Sequence, residues 1–425
     1  MQEAIRRPLK VGYLIKRPID PRGGKAEFNR ALAVKALFTR RGHRLTVFAG
    51  FVDDGQRFRS AAARCLAKFL APIEDIRRAA RRYASGIEMS DLVVLSITGP
   101  RTALAGWLAL RHSGRPIVLH IADVPSLQEL EKAGHSVAAR VKWCWLRAVE
   151  KRLCARADHI VAASPRYKSA LVALGVDAAK ISILPNAVDV RRLRGAVARP
   201  GGAAGWFGRP GGFRVIYAGE MGDAQGLDIV LSVATELQDE PIEFLMVGDG
   251  PARAALERRT RKERLRNVTF TGGMPFDRAA RLMAAAEVAL VVLDEGLQSP
   301  IPSKFYIALS LRTPVLGIGA AESALADLLA LTDCGLMLPR RPEAIAAALR
   351  GLLRQPQTLA RIKEYQARWQ ESFDGDRVYL HLARIAEALA DRRQVAPLDG
   401  FEALAEAIGR AEFESGLYDT RAAGR

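Results

Sequence analysis

Along the chain, short unbroken apolar runs alternate with longer stretches in which apolar side chains recur every three or four positions. Runs of the first kind read as strands buried on both faces, and stretches of the second as amphipathic helices. In the first half the runs are Leu9 to Ile15, Leu45 to Ala49, Leu92 to Ile97, Ile117 to Ile121, the segment through Ile160 and Val161, and Ile181 to Leu184. Between them the spacing predicts helices over about Lys25 to Arg41, over 57–84 with a break at Pro72, around Ala103 to His112, and over 136–156. After residue 212 the same alternation restarts, with strands at Phe213 to Ala218, Glu243 to Val247, Val268 to Thr271, Val288 to Leu293, Val315 to Gly317 and Gly335 to Leu338. Helices are expected to Leu237, after Pro251, from Asp277, between Pro302 and Pro314, and near 342–354, 357–373 and 376–391.

At 425 residues the chain is too long for one ordinary core. Two successive strand–helix–strand series predict an α/β protein of two Rossmann-like, doubly wound domains. The expected boundaries are 1–195 for the first domain, 196–212 for a Gly/Pro-rich linker and 213–391 for the second domain. A helical tail at 392–425, with Phe401, Leu404 and Ile408 on one face, completes the chain.

Charge separates the halves. Residues 1–200 carry 37 Lys/Arg against 16 Asp/Glu, and residues 201–425 carry 27 against 30, within a total of +18. Basicity confined to one half points to an anionic partner for the first domain. Helices 57–84 and 136–156 combine many arginines with apolar faces, and the second adds Trp143 and Trp145, so an anionic membrane surface is the expected partner. A recognisable nucleic-acid module is missing, which argues against nucleic acid. No window reaches a bilayer-spanning length, and the charged start does not resemble a secretory signal. Cys65, Cys144, Cys154 and Cys334 form no C-x-x-C pair and no metal-ligand spacing, which favours free thiols and a cytoplasmic protein, peripheral at the inner membrane face.

Several strand ends carry candidate chemistry. The segment S-P-I-P-S-K-F-Y-I-A-L-S-L-R-T-P-V at 299–315 follows a strand and opens a helix. Pro302, Ser303 and Lys304 there combine free backbone N–H groups, the positive end of a helix and a mobile ammonium, which suits a diphosphate. The alternative is an ordinary strand–helix–strand unit with a proline at each end. Gly23-Gly24 follows the first strand, either approaching a ligand or forming a plain loop. Asp123, just past a strand, either orients a sugar hydroxyl or acts as a base, or else caps the following turn. His120, two residues before Ala122, is a second catalytic candidate or simply faces a helix.

Six segments together resemble family-4 glycosyltransferases of the GT-B fold. They are R-G-G-K-A-E-F-N-R-A-L-A-V-K-A-L-F-T-R-R-G-H-R-L-T-V at 22–47, A-D-H-I-V-A-A-S-P at 157–165 and K-I-S-I-L-P-N-A-V-D at 180–189. The second domain adds Y-A-G-E-M-G-D-A-Q-G-L-D at 217–228, V-G-D-G-P at 247–251 and P-S-K-F-Y-I-A-L-S-L-R-T-P-V at 302–315. The A-Q-G-L-D and P-S-K forms are most similar to the L-N-acetylfucosamine transferase-like branch of bacterial surface polysaccharide synthesis.

The resemblance implies two Rossmann-like domains facing a cleft. A UDP- or GDP-linked nucleotide sugar would bind mainly to the second domain, and a lipid-linked or saccharide acceptor to the first. It implies transfer without a metal or other cofactor. Pro302, Ser303 and Lys304 would hold phosphate, Gly219, Glu220, Gln225 and Gly248 would line the donor pocket, and Gly23 and Gly24 would close over it. Asp123 matches an Asp that follows a strand in this branch.

The chain also departs from the family. Two glutamates usual around the diphosphate turn are replaced by Ser299 and Ile307, and a usual Arg and Lys by Glu220 and Gln225. A usual glycine is Arg312. These departures set a catalytically silent binding or scaffold subunit beside an active transferase.

Overall fold

The computed structural model describes residues 7–16, 26–51, 61–127, 137–198, 206, 212–222, 225–401 and 403. Side chains at 26–29, 61–72, 138 and 139 are outside that description. The chain divides into two compact units, Met1–Asn186 with Gly375–Arg425, and Ala187–Asp374.

In the first unit β1 (Lys10–Ile15), β2 (Arg44–Ala49), β3 (Leu92–Ile97), β4 (Ile117–Ile121), β5 (His159–Ala162) and β6 (Ile181–Ile183) form one parallel sheet in the order β2-β1-β3-β4-β5-β6. Strands with apolar residues at successive positions bury both faces, and helices cover them. On one face Leu14, Leu95 and Leu119 join a core with Tyr83 of α2 (Ala61–Glu88) and Leu110 of α3 (Pro100–Leu110). α4 (Val137–Arg156) adds Val149 and Leu153, and α5 (Pro165–Ala173) adds Tyr167 and Leu171. α1 (Ala26–Arg40) packs against α14 (Gly375–Ala390), the last long helix among the described residues.

In the second unit, α6 (Val190–Ala198) precedes β7 (Phe213–Ala218), α7 (Asp228–Glu236), β8 (Ile242–Val247), α8 (Arg253–Lys262), β9 (Val268–Gly272), α9 (Phe276–Ala284) and β10 (Val288–Val292). Then come α10 (Ser303–Ser310), β11 (Val315–Ile318), α11 (Ala324–Thr332), β12 (Gly335–Leu338), α12 (Pro342–Arg354) and α13 (Pro356–Trp369). The sheet is again parallel, ordered β12-β11-β10-β7-β8-β9. Chain direction across the sheet reverses between β7 and β10, and open α/β sheets place ligands at that crevice, beyond the carboxyl ends of the strands.

The structure corrects three expectations of organisation. The helix at 376–391 belongs to the first unit rather than closing the second domain. Its Glu387 accepts hydrogen bonds from Arg41 at 2.7 and 3.0 Å and from His43 at 2.9 Å, which ties it to the α1–β2 corner. α6 belongs to the second unit, so the boundary lies before residue 190 rather than at 195. Arg192 of α6 bonds Asp277 at 3.2 Å, and Arg281 donates to the Ala196 carbonyl. Of the expected linker at 196–212, residues 199–205 and 207–211 lie outside the described residues.

Third, α2 runs through Pro72 without a break. An interior proline costs a helix about 3 kcal/mol. The half after Pro72 buries Ala79, Tyr83 and Ile87, and Tyr83 donates to the Ile15 carbonyl at 2.8 Å, which holds the helix in place. The tail expectation is met only in part: Phe401 is buried and Ile183 N–H donates to the Leu398 carbonyl, while Leu404 and Ile408 lie outside the described residues.

Candidate functional site

The P-S-K segment occupies the carboxyl edge of the second sheet. Pro302 is the N-cap of α10, extended at φ −64° and ψ 141°, and no side chain caps the helix. Phe305 and Tyr306 are buried and meet Phe373 at ring separations of 6.5 and 5.3 Å, which fixes the helix against its own unit. The uncapped N-terminal amides thus remain available to an anion.

Lys304 turns back from this helix to the end of β7, with its ammonium 4.8 Å from the Tyr217 ring centroid. Part of the side chain meets solvent, but the ammonium is enclosed, and that desolvation lowers its pKa to about 8 against an opposing pull from the Glu220 carboxylate. A cation held over an aromatic face in a desolvated place is ready to meet a phosphate oxygen.

Gly219 is required by this arrangement. Its φ is +150°, and a Cβ there would lie 2.2 Å from Lys304 Cε. Gly248, at the end of β8, comes closer still: a Cβ would stand 1.9 Å from the Gly219 carbonyl oxygen. The expected donor-lining residues Gly219, Glu220, Gln225 and Gly248 thus lie on adjoining loops with Lys304. Glu220 is exposed, and its backbone carbonyl accepts the Tyr217 hydroxyl. The Gln225 side chain accepts from Gly222 N–H at 3.0 Å and so braces the loop it belongs to.

The sequence reading missed Arg340. Its guanidinium donates to the Leu293 carbonyl at 2.9 Å, the Gly226 carbonyl at 2.6 Å and the Gln225 carbonyl at 3.4 Å. These bonds bring a positive charge from the end of β12 into the loop whose own basic positions are Glu220 and Gln225. The only signal was a basic pair, Arg340-Arg341, just beyond a strand end. Arg312, in the usual glycine position, has φ +53°, the left-handed conformation that glycine adopts without cost after a helix. Of the two replaced glutamate positions, Ser299 is buried and Ile307 half-buried.

In the first unit, Gly23 and Gly24 lie outside the described residues. Asp123 is half-buried just past β4 and its carboxylate accepts from the Tyr167 hydroxyl at 3.4 Å. His120, inside β4, is 1% exposed, with Nδ1 3.4 Å from the Tyr13 hydroxyl. Burial, and secondarily the charge of Arg30, hold its pKa well below the usual histidine value, so it is neutral. Among the described residues no group of three or more His, Cys, Asp or Glu could hold a metal ion.

Comparison with known proteins identifies the two units. Residues 30–192 match Glycosyltransferase Family 4, and residues 212–355 match Glycosyl transferases group 1. The chain therefore carries a family-4 and a group 1 glycosyltransferase domain in tandem. It is 27% identical over 277 residues to a putative colanic acid biosynthesis glycosyl transferase, WcaI, of Escherichia coli, covering 61% of this chain and 66% of the relative, just under two thirds of its length. It is 28% identical to a 2-deoxystreptamine glucosyltransferase of Streptomyces kanamyceticus, covering 63% of this chain and 69% of that protein. Its fold matches that of Anabaena HepE solved with UDP and glucose, with a TM-score of 0.65 at 17% identity over 89% of this chain and all of the other. Sucrose-phosphate synthase of Thermosynechococcus elongatus matches with a TM-score of 0.70 at 17% identity, over 90% of this chain and all of that one. These matches are to GT-B structures built from two Rossmann-like domains.

Proposed function

We propose that this protein is an active, metal-independent glycosyltransferase of the hexosyltransferase type. It moves a sugar from a UDP- or GDP-linked donor to a lipid-linked or saccharide acceptor in bacterial surface polysaccharide synthesis, in the manner of the L-N-acetylfucosamine transferase-like branch. The observation that carries this reading is the convergence of Lys304, the uncapped α10 terminus and Gly219 at the switch crevice of the second unit. In this reading the amides of Ser303 and Lys304, with the Lys304 ammonium, hold the diphosphate. They stabilise the charge that grows on it as the glycosidic bond breaks. Arg340 holds the loop that faces the leaving group. Asp123 and His120 remain the candidates for the acceptor side. His120 is neutral, so a role for it is as a hydrogen-bond partner rather than as a cation.

Lys304→Ala is expected to weaken UDP binding by about 10- to 150-fold, the loss of one charge-assisted contact of roughly 1.5–3 kcal/mol. Calorimetry with UDP measures this, and the melting temperature of the ligand-free protein should barely change. Ile307→Glu, which restores a carboxylate for ribose hydroxyls, should tighten the same binding. Failure of UDP and GDP to bind any of the three proteins would leave the scaffold reading in place of the enzyme.

The membrane partner rests on α4. Val137, Val141 and Trp145 are 80%, 65% and 48% exposed at a spacing of four, which is one face of a helix that also carries Arg140 and Lys142. In α2, Arg78 pairs with Asp75, Arg81 with Glu74, and Arg82 donates to the Gly50 carbonyl. Flotation with anionic vesicles should weaken in Arg140→Gln with Lys142→Gln, at about 1 kcal/mol per charge near the surface. Equal binding to neutral and anionic vesicles would end the idea. Among the described residues no helix is long and apolar enough to cross a membrane.

A further inference from the structure

Arg30, on α1, is 6% exposed, and its Nη1 is buried with no hydrogen-bond partner. No carboxylate among the described residues pairs with it. Arginine cannot escape this position by losing its proton, as a buried lysine or histidine does. A guanidinium removed from water without a counter-charge strongly disfavours the state that contains it.

What surrounds Arg30 is polar and rich in hydrogen-bond donors. Strand alternation puts Tyr13, Ser96 and His120 on the sheet face opposite Leu14, Leu95 and Leu119. Ser96 and His120 are register partners on β3 and β4, and both are buried. Ser96 Oγ and His120 Nε2 are also buried without a hydrogen-bond partner. The Arg30 charge acts on both His120 and Tyr379, a buried residue of α14. The cluster flanks β1 and β3, the neighbours between which this sheet's order reverses. It therefore sits at the first unit's own ligand crevice.

Three buried polar groups without a hydrogen-bond partner, one of them a guanidinium, define an anion cradle. We infer that Arg30, with His120 and Ser96 beside it and Tyr13 and Tyr379 around it, binds one phosphate or carboxylate group carried by the acceptor. This rests on the reading that the first unit receives the acceptor. The guanidinium supplies the counter-charge, and the neutral imidazole and the serine hydroxyl supply donors that do not compete for the proton.

The test uses the full chain and inorganic phosphate at constant ionic strength. At about ten times its Kd, phosphate should raise Tm by roughly 2–4 °C. Arg30→Met should remove its own part of this shift, and all of it in a Lys304→Ala background where the second unit's phosphate site is weakened. It should also raise the Tm of the ligand-free protein, because it removes a buried charge that no described carboxylate pairs. Ser96→Ala should weaken the shift without altering ligand-free stability, which keeps the site testable if the methionine variant folds poorly. Lys304→Ala alone should retain the Arg30 part of the shift. A phosphate effect lost in Lys304→Ala and kept in Arg30→Met would put the anion in the second unit and overturn the inference. So would a ligand-free Tm that falls in Arg30→Met and recovers in Arg30→Lys. Hexose 1-phosphate and glucuronate, each competed against inorganic phosphate, separate the two acceptor chemistries, and competition by a neutral disaccharide as strong as either would also overturn it. Stabilisation by UDP should persist in Arg30→Met. If UDP stabilises no variant while phosphate behaves as described, the donor reading fails and the anion site stands.

Discussion

Glu387→Gln is expected to destabilise the first unit by about 3 kcal/mol, the lower end of what breaking a buried ion pair costs. The carboxylate is 3% exposed and accepts from both Arg41 and His43, whereas Arg41 keeps 18% of its side-chain surface and can partly resolvate. His43 Nδ1 accepts from Leu9 N–H at 3.3 Å, so Nε2 carries the proton that is donated to Glu387. One carboxylate thus joins the start of β1, the α1–β2 corner and α14. Burial alone would raise the Glu387 pKa, but the bonds from Arg41 and His43, with the charge of Arg41, outweigh it and leave the pKa below its ordinary value.

The pH dependence follows from that direction. A carboxylate with a depressed folded-state pKa contributes stability above its unfolded value, near about 4.3, and loses that contribution as pH falls through the folded value. Wild type should therefore lose part of its advantage over Glu387→Gln below about pH 4.3. Urea melts of the two proteins at neutral and acidic pH measure it. A difference that stays constant into acid would mean that the bonds contribute as neutral contacts only.

Much of the fold was legible because it rests on local patterns. β4 runs from Ile117 to Ile121, as its apolar run indicates, and the proline, serine and lysine of 302–304 stand at a strand-to-helix turn. What was not legible depends on contacts distant in sequence. An amphipathic helix at 376–391 shows that one face is buried but not which sheet it covers, and Glu387 finds its partners more than 340 residues away. Pro72 signals a helix break, and only the packing of Tyr83 explains why the helix continues. In the site, Lys304 meets Gly219 across 85 positions, and Arg340 reaches Gly226 across 114. Arg30 in a helical stretch reads as a solvated residue, and only its burial marks it as incomplete. The replaced Arg and Lys at Glu220 and Gln225 read as a loss of positive charge from the donor loop, and the Arg340 guanidinium brings charge back to it.

Gly248→Ala should be the most damaging single methyl in the second unit. The added Cβ would stand 1.9 Å from the Gly219 carbonyl oxygen, and backbone on both sides leaves no flexible side chain to move away. The residue also has φ +134°, where an L side chain is strained. Conformational strain of about 1–2 kcal/mol and overpacking of about 1–3 kcal/mol give a loss of roughly 2–5 kcal/mol. Relief of the contact pushes the Gly219 loop away from Lys304, so UDP affinity should fall along with stability. Gly351→Ala supplies the contrast. That glycine lies within α12, and a Cβ there meets nothing within 4 Å. Alanine in a helix interior is favoured over glycine by about 0.5–1 kcal/mol, so this variant should melt higher and bind UDP unchanged. Chemical denaturation and UDP calorimetry on the two variants measure both effects. If Gly248→Ala keeps full stability and full affinity, the close approach of the β7 and β8 ends is not what holds the Gly219 loop against Lys304.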